Sequence, residues 1–335
     1  MRKCLQVISK VTSDACSWYR VHGPLSDVER QLRDEWEYHI QKEDKACDWQ
    51  DQAYFEALFI FRPSGKNSLA QIDVAKIINK KVWLDFDDDL FNIPLANPCF
   101  EHYSDPKIRE DIIKCIKAAD IITVSTECLK KAYVNHNKNV HVVPNAFDDR
   151  LIRFRGPRFD KETKTILWRG SATHDEDMLE YLPAMIEISK KHKDWKFIFM
   201  GKPSFVVLNK MPYGSYVRPP AVPLPQFWRV LDQVRPSIGI VPLVQSPFNM
   251  SKSNIAWQEF SFAGAASVVP NMPEWQRPGA SMYSDVDSFF NAVDWLINNK
   301  AERERAAQMS WEYIQKNESL SIVNTKRIEL LRSLA

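Results

Sequence analysis

"IVPLVQSPFNMSKSNIAWQEFSFAGAASVVP" occupies residues 240–270. Its start belongs to a longer apolar run, "SIGIVPL" (237–243), which reads as a buried strand. A polar loop follows. A helix is expected over "KSNIAWQEFSFAG" (252–264), and "ASVVP" (266–270) reads as a second strand. Strand, loop, helix and strand in about 30 residues is a βαβ unit, so the two strands run parallel. A parallel sheet needs helices on both faces, and this sets the fold class.

The same alternation extends in both directions. Upstream come a strand "TILWRG" (165–170), a helix "EDMLEYLPAMIEISKKH" (176–192), a strand "KFIFMG" (196–201) and a helix "LPQFWRVLDQV" (224–234). Downstream, three helical segments finish the chain, the last being "SIVNTKRIELLRSL" (321–334). The charged stretch "DRLIRFRGPRFDKETK" (149–164), with Gly156-Pro157, interrupts the pattern and reads as a linker. Before it, strands "CLQVISKV" (4–11), "ALFIF" (57–61), "KVWLDF" (81–86), "DIITVS" (120–125) and "VHVVPNAFD" (140–148) alternate with helices at 68–81, 105–120 and 126–136. Asp105 is placed to cap the second of these, with Pro106 at its first position. Two α/β domains result, 1–155 and 156–320, followed by a terminal helix over 321–335.

Bulk properties agree. A chain of 335 residues favours two domains. With 44% hydrophobic and 26% charged residues it is expected to pack a core. A net charge of +2 is too balanced to make nucleic acid or an acidic membrane the main partner. The six cysteines, Cys4, Cys16, Cys47, Cys99, Cys115 and Cys128, form no C-x-x-C pair, so no zinc site is expected. The start "MRKCLQVISKVTSDAC" lacks a signal-peptide core, and no apolar run reaches about 18 residues, so a cytoplasmic protein without a membrane span is expected. Only 9 glycines occur, with no G-x-G-x-x-G and no G-x-x-x-x-G-K-[ST]; an ordinary dinucleotide domain or P-loop NTPase is disfavoured.

Ligands of open α/β sheets bind at the carboxyl ends of the strands. Tyr19 and Arg20 follow the first strand; Arg20 is placed to hold an anionic group, or else is a surface arginine. Arg169 stands at the tip of its strand, where Gly170 and Ser171 let backbone approach a ligand. His174 either contacts that ligand or caps the turn. Lys252, Ser253 and Asn254 lie at a helix start, where backbone N–H groups favour an anion. Glu259 lies seven residues beyond Lys252, two turns along the same face, and a carboxylate there suits a ribose diol. It reads equally as a solvated helix residue. "VWLDFDDDLFNIP" (82–94) places Asp85, Asp87, Asp88 and Asp89 where a buried strand emerges. Three readings stand: a metal site, an acid/base site, or a solvated turn.

The segments "ADIITVSTECLKKAY" (119–133), "VHVVPNAFD" (140–148), "WRGSATHDEDM" (168–178) and "IGIVPL…SPFNMSKSNIAWQEFSFAGAASVVP" together resemble glycosyltransferases of the GT-B fold, in particular the bacterial and phage group 1 nucleotide-sugar transferases. The resemblance implies two Rossmann-like doubly wound domains facing a cleft. The first would take a hydroxyl acceptor and the second a nucleotide-sugar donor, transferring a hexose or pentose. It puts Arg169 and Lys252 on the donor diphosphate, with Gly170, Ser171, Ser253 and Asn254 beside them, and Glu259 on the ribose. Tyr19, Arg20 and His174 would contact acceptor or sugar. The terminal helix would cross back to the first domain. Asp85, Asp87 or Asp88 would deprotonate the acceptor, since crowded carboxylates raise one another's pKa. The D-x-D pattern in "DFD" is how GT-A enzymes hold a metal; GT-B enzymes generally need none, so no metal and no cofactor beyond the donor is expected. The acceptor class is a glycan, a lipid-linked sugar, a protein or a modified DNA base, and nucleic acid enters only in that last role. There are departures. Many retaining members carry glutamates eight residues apart, whereas Ser251 stands eight before Glu259. "SDACSWYR" (13–20) replaces the usual glycine-rich loop. Retention and inversion both stay open, and a catalytically silent sugar- or nucleotide-binding module is the alternative.

Overall fold

The computed structural model describes residues 2–9, 14–42, 54–150, 157–160 and 162–334. Part of the expected linker, 151–156 and 161, lies outside these, as do residues 10–13 of the first loop and Cys47.

Two six-stranded sheets, parallel throughout, follow one another along the chain. The first holds β1 (Lys3–Ile8), β2 (Trp36–Gln41), β3 (Ala57–Phe61), β4 (Lys81–Phe86), β5 (Ile121–Val124) and β6 (Val140–Val142), in the order β2-β1-β3-β4-β5-β6. The second holds β7 (Thr165–Gly170), β8 (Lys196–Gly201), β9 (Tyr216–Val217), β10 (Ile238–Ile240), β11 (Ala266–Pro270) and β12 (Ala280–Tyr283), in the order β12-β11-β10-β7-β8-β9. Every residue of β3, "ALFIF", is buried, as a strand covered on both faces requires.

The strand orders place the clefts. In the first sheet the chain goes from β1 out to β2, then returns to the other side of β1 as β3. In the second it goes from β7 out through β8 and β9, then returns as β10. At each reversal the connections leave on opposite faces and open a crevice at the carboxyl ends. The loops after β1, β3, β7 and β10 therefore face the same space.

Helix Leu320–Ser333 ends up on the first sheet. Leu320, Val323, Ile328 and Leu331 join the core of Leu5, Val7 and Phe59. Asn324 Nδ2 donates to the Pro24 carbonyl at 3.0 Å and to Asp27 at 2.8 Å. A short parallel bridge between Phe147 and Ser319 fixes where the chain re-crosses.

Boundaries shift where local chemistry decides. Asp105 and Thr126 cap helices Pro106–Ala118 and Glu127–Tyr133 with their side chains. The helix expected from Lys252 begins only at Ile255. A single turn, Pro247–Met250, capped by Ser246, precedes it, and Lys252 to Asn254 form the connection.

Candidate functional site

A cavity of about 420 Å³ lies between the carboxyl ends of the two sheets. The first half contributes Tyr19, Arg62, Asp87 and Asp88 to its wall; the second contributes Arg169, His174, Lys252, Ser253 and Glu259. Arg62, Asp87, Asp88 and Arg169 come from strand ends, Lys252 and Ser253 from the connection before helix Ile255–Phe262, and Glu259 from within that helix.

The four aspartates after β4 turn out to have separate tasks. Asp85 is 1% exposed and receives both Nε (2.8 Å) and Nη2 (2.7 Å) of Arg20. Arg20 also donates to the Val143 carbonyl and to Asn145. This buried bidentate pair ties β4 to the β6 loop and is absent from the cavity wall. Arg20 as an anion ligand and Asp85 as a base are thereby corrected: each consumes the other's hydrogen-bonding capacity. Asp89 accepts from the Phe91 N–H and from Asn92, closing a turn. Asp87 and Asp88 remain at the cavity.

Arg62 holds both of them, Nε on Asp87 and Nη2 on Asp88. Across the cleft, Lys252 Nζ meets Asp88 at 2.8 Å. Burial pushes the Asp88 carboxyl up, but Lys252 and Arg62 outweigh it and hold the group well below the ordinary carboxylate range. Asp87 lies above that range because burial dominates, with Arg62 opposing. Two adjacent carboxyl groups are thus driven apart in acidity.

Sequence reading missed Arg62. It follows β3 at the reversal point, in a left-handed conformation with φ of 48°. Such a backbone is uncommon for arginine and concentrates at functional sites. A usable signal existed, since a basic residue at a strand end beside a reversal lies where ligands bind. Its partners depend on the register Phe61↔Asp85, which no single segment reveals.

On the other wall, Glu259 is 2% exposed. The Tyr19 hydroxyl donates to its Oε1 at 2.6 Å, and the Arg169 guanidinium pairs with Oε2. Burial raises the Glu259 carboxyl, against Arg169 and Tyr19, which favour its charge. Tyr19 reaches it from a π-helical turn, Trp18–His22. The reading of Glu259 as a solvated residue is excluded.

Gly170 and Ser171 line the cavity beside Arg169. A Cβ on Gly170 would come within 2.6 Å of the Trp168 ring. His174 lines the cavity too, and its Nδ1 lies 2.9 Å from Asp177. Asp177 in turn accepts from the Val244 N–H and Asn249, so it positions both the histidine and the loop before Lys252. Ser253 accepts from Asn145 Nδ2 at 2.8 Å across the cleft. Asn254 departs from expectation: it is 3% exposed, and its amide points to Glu318 rather than into the cavity.

Apolar groups fill the rest of the wall, among them Leu90, Ile93, Val222, Phe248 and Trp275. The site is therefore a cleft with cations and carboxylates on both walls and an apolar floor, as small-molecule sites commonly are.

No family model matches the sequence, and no curated protein matches it at a significant level. Solved structures do. HepE of Anabaena, in complex with UDP, superposes with a TM-score of 0.69 at 11% identity, over 99% of this chain and 100% of that one. Sucrose-phosphate synthase of Thermosynechococcus elongatus gives 0.72 at 10% identity, over 99% of both chains. A UDP-N-acetylglucosamine 2-epimerase candidate from Listeria monocytogenes gives 0.61 at 11% identity, over 99% of this chain and 96% of that one. The fold is thus the α/β GT-B arrangement, two Rossmann-like domains facing a cleft.

Proposed function

We propose that this chain is a glycosyltransferase, moving a sugar from a nucleotide-sugar donor to a hydroxyl acceptor. The observation that carries the reading is the pairing across the cleft: Lys252 of one half on Asp88 of the other, in the same cavity as Asp87, Arg169 and Glu259. HepE, with the same fold, holds UDP, and also UDP-glucose.

In this reading the donor diphosphate replaces Asp88 as the partner of Lys252. Arg169, Ser253 and the backbone of Gly170 and Ser171 complete its surroundings. Glu259 exchanges its present partners for the ribose hydroxyls. The acceptor oxygen attacks the anomeric carbon, and its proton passes to an aspartate. The bond to the diphosphate breaks, and the diphosphate leaves with the electron pair. Fixed cations at the leaving group stabilise the charge that develops there. Asp87 is the proposed base, because burial raises its proton affinity, whereas Asp88 keeps the Arg62 contact after Lys252 turns to the diphosphate. No metal is needed in this scheme, since Arg62, Arg169 and Lys252 already supply positive charge. A cytoplasmic setting belongs to the same proposal; Cys4, Cys16, Cys99, Cys115 and Cys128 are free thiols, and no helix among the described residues is long and apolar enough to cross a membrane.

Incubation with a panel of nucleotide sugars tests this. A transferase releases free nucleoside diphosphate slowly by donor hydrolysis and faster with acceptor present. Binding without release marks the silent module that Ser251, in place of a glutamate, leaves open. A changed sugar on an intact nucleotide marks the epimerase chemistry suggested by the Listeria protein.

A further inference from the structure

We infer that the outer edge of the second sheet docks on an anionic lipid surface, beside the mouth of the cavity. From Trp195 to Leu231 the sequence contains no Asp or Glu, yet carries Lys196, Lys202, Lys210, Arg218 and Arg229. The net charge of +2 conceals this local asymmetry.

The same span presents large apolar side chains to solvent. Phe205 is 72% exposed, Val206 48% and Val217 54%, and Tyr213 is fully exposed. They fall on one edge. β9 is the outermost strand, and helix Phe205–Lys210 is the connection that leads to it from β8. The Arg218 guanidinium lies 5.8 Å from the Phe205 ring, which joins the end of β9 to the start of that helix. Lys202, Lys210 and Arg218 are exposed alongside. Pro220, Ala221 and Val222, starting two residues after Arg218, line the cavity.

An apolar stripe flanked by cations, on a span of sequence without acids, matches one kind of partner. Phe and Val enter the boundary between headgroups and acyl chains, Tyr sits at the interface, and Lys and Arg meet anionic headgroups. Duplex nucleic acid fits less well, because its affinity comes chiefly from many phosphate contacts. Valines, a phenylalanine and prolines add nothing to that. Docking here sets the cavity mouth at the membrane, which suits an acceptor carried by a lipid. That corollary rests on the proposed transfer, but the docking itself does not.

Co-sedimentation with phosphatidylcholine vesicles, with and without phosphatidylglycerol, tests the docking. The full chain is expected to bind the anionic vesicles and to be released by salt within the range where screening acts. Phe205→Ser combined with Val206→Ser is expected to lower vesicle partition about tenfold or more. Lys210→Glu combined with Arg218→Glu is expected to do the same, with an unchanged melting temperature because these side chains are exposed. Failure of the full chain to bind anionic vesicles overturns the inference, and so does normal binding by both variants. Binding to a DNA duplex without vesicle binding assigns the stripe to nucleic acid instead. A concentration-dependent dimer that Val217→Lys disrupts, again without vesicle binding, assigns it to a second copy. Loss of docking with donor turnover in solution intact separates this proposal from the transferase reading.

Discussion

Asp87 and Asp88 are neighbours in sequence with opposite electrostatics, and the difference comes from their partners rather than their identity. Asn at either position keeps size and removes charge. Asp87→Asn is expected to lower turnover by about 10² to 10⁴ with near-normal nucleotide affinity. Normal turnover in both Asn variants would return the pair to a structural role. Nucleotide affinity is expected to survive a chelator; if Mn²⁺ proves necessary to restore it, the aspartates are a metal site. Arg62→Met leaves two buried carboxylates without their shared cation and is expected to destabilise the chain by about 3 kcal/mol in urea unfolding. The pH dependence follows from the signs. Asp88 has a folded pKa below its ordinary value of about 3.9, so it stabilises the fold above that pH and loses the contribution as pH falls further. Asp87, shifted upward, contributes in the opposite sense, its share being lost as pH rises through its folded pKa. The melting-temperature gap between the wild type and Asp88→Asn should therefore be wide near neutrality and narrow towards about pH 3. A gap independent of pH would mean that the Lys252–Asp88 pair does not form in solution. At this scale the sequence exposed the acids but not their division of labour. Which of "DFDDD" faces Arg20, Arg62 or Lys252 depends on β3 lying beside β4 and on the other half of the chain.

Elements were more legible than residues, and for a physical reason. Strands β3, β4, β7, β8 and β11 are short apolar runs because both faces are covered, and such runs stand out in any window. β2, "WEYHIQ", was missed: it is an edge strand, largely half-buried, and it carries Glu37, His39 and Gln41. β12, "ASMY", was missed for the same reason, being the opposite edge of its sheet. The late start of helix Ile255–Phe262 came from the Ser246 cap, which diverts the chain into one extra turn before Lys252. That helix is held to the sheet through Gly239. A Cβ there would lie 2.2 Å from the Phe260 ring. Gly239→Ala is expected to cost about 1–3 kcal/mol by overpacking. It should also weaken nucleotide binding, because displacing Phe260 moves its neighbour Glu259. Unchanged urea midpoint and unchanged affinity together would show that the helix seat is softer than its packing implies.

For the whole molecule, alternation alone predicted two parallel α/β units, and the residues that face the cleft gather at the carboxyl ends of the strands, at the two reversals and after the adjoining β4. What the alternation could not predict is how the halves close. Lys252 on Asp88, Tyr19 on Glu259, Thr126 on the Ser251 carbonyl and Asn145 on Ser253 join segments more than a hundred residues apart. They leave the proposed phosphate cation and ribose carboxylate paired with protein groups, so a donor must exchange these contacts rather than enter an empty cradle. Titration calorimetry with UDP and the other nucleoside diphosphates, on the wild type, Lys252→Ala and Glu259→Ala, tests the donor site most directly. One diphosphate is expected to bind the wild type at a single site. Each variant should lose about 1.5–3 kcal/mol of that affinity, the worth of a charge-assisted contact, while staying folded. Binding of no nucleoside diphosphate, or undiminished binding by both variants, would contradict a donor site in this cleft.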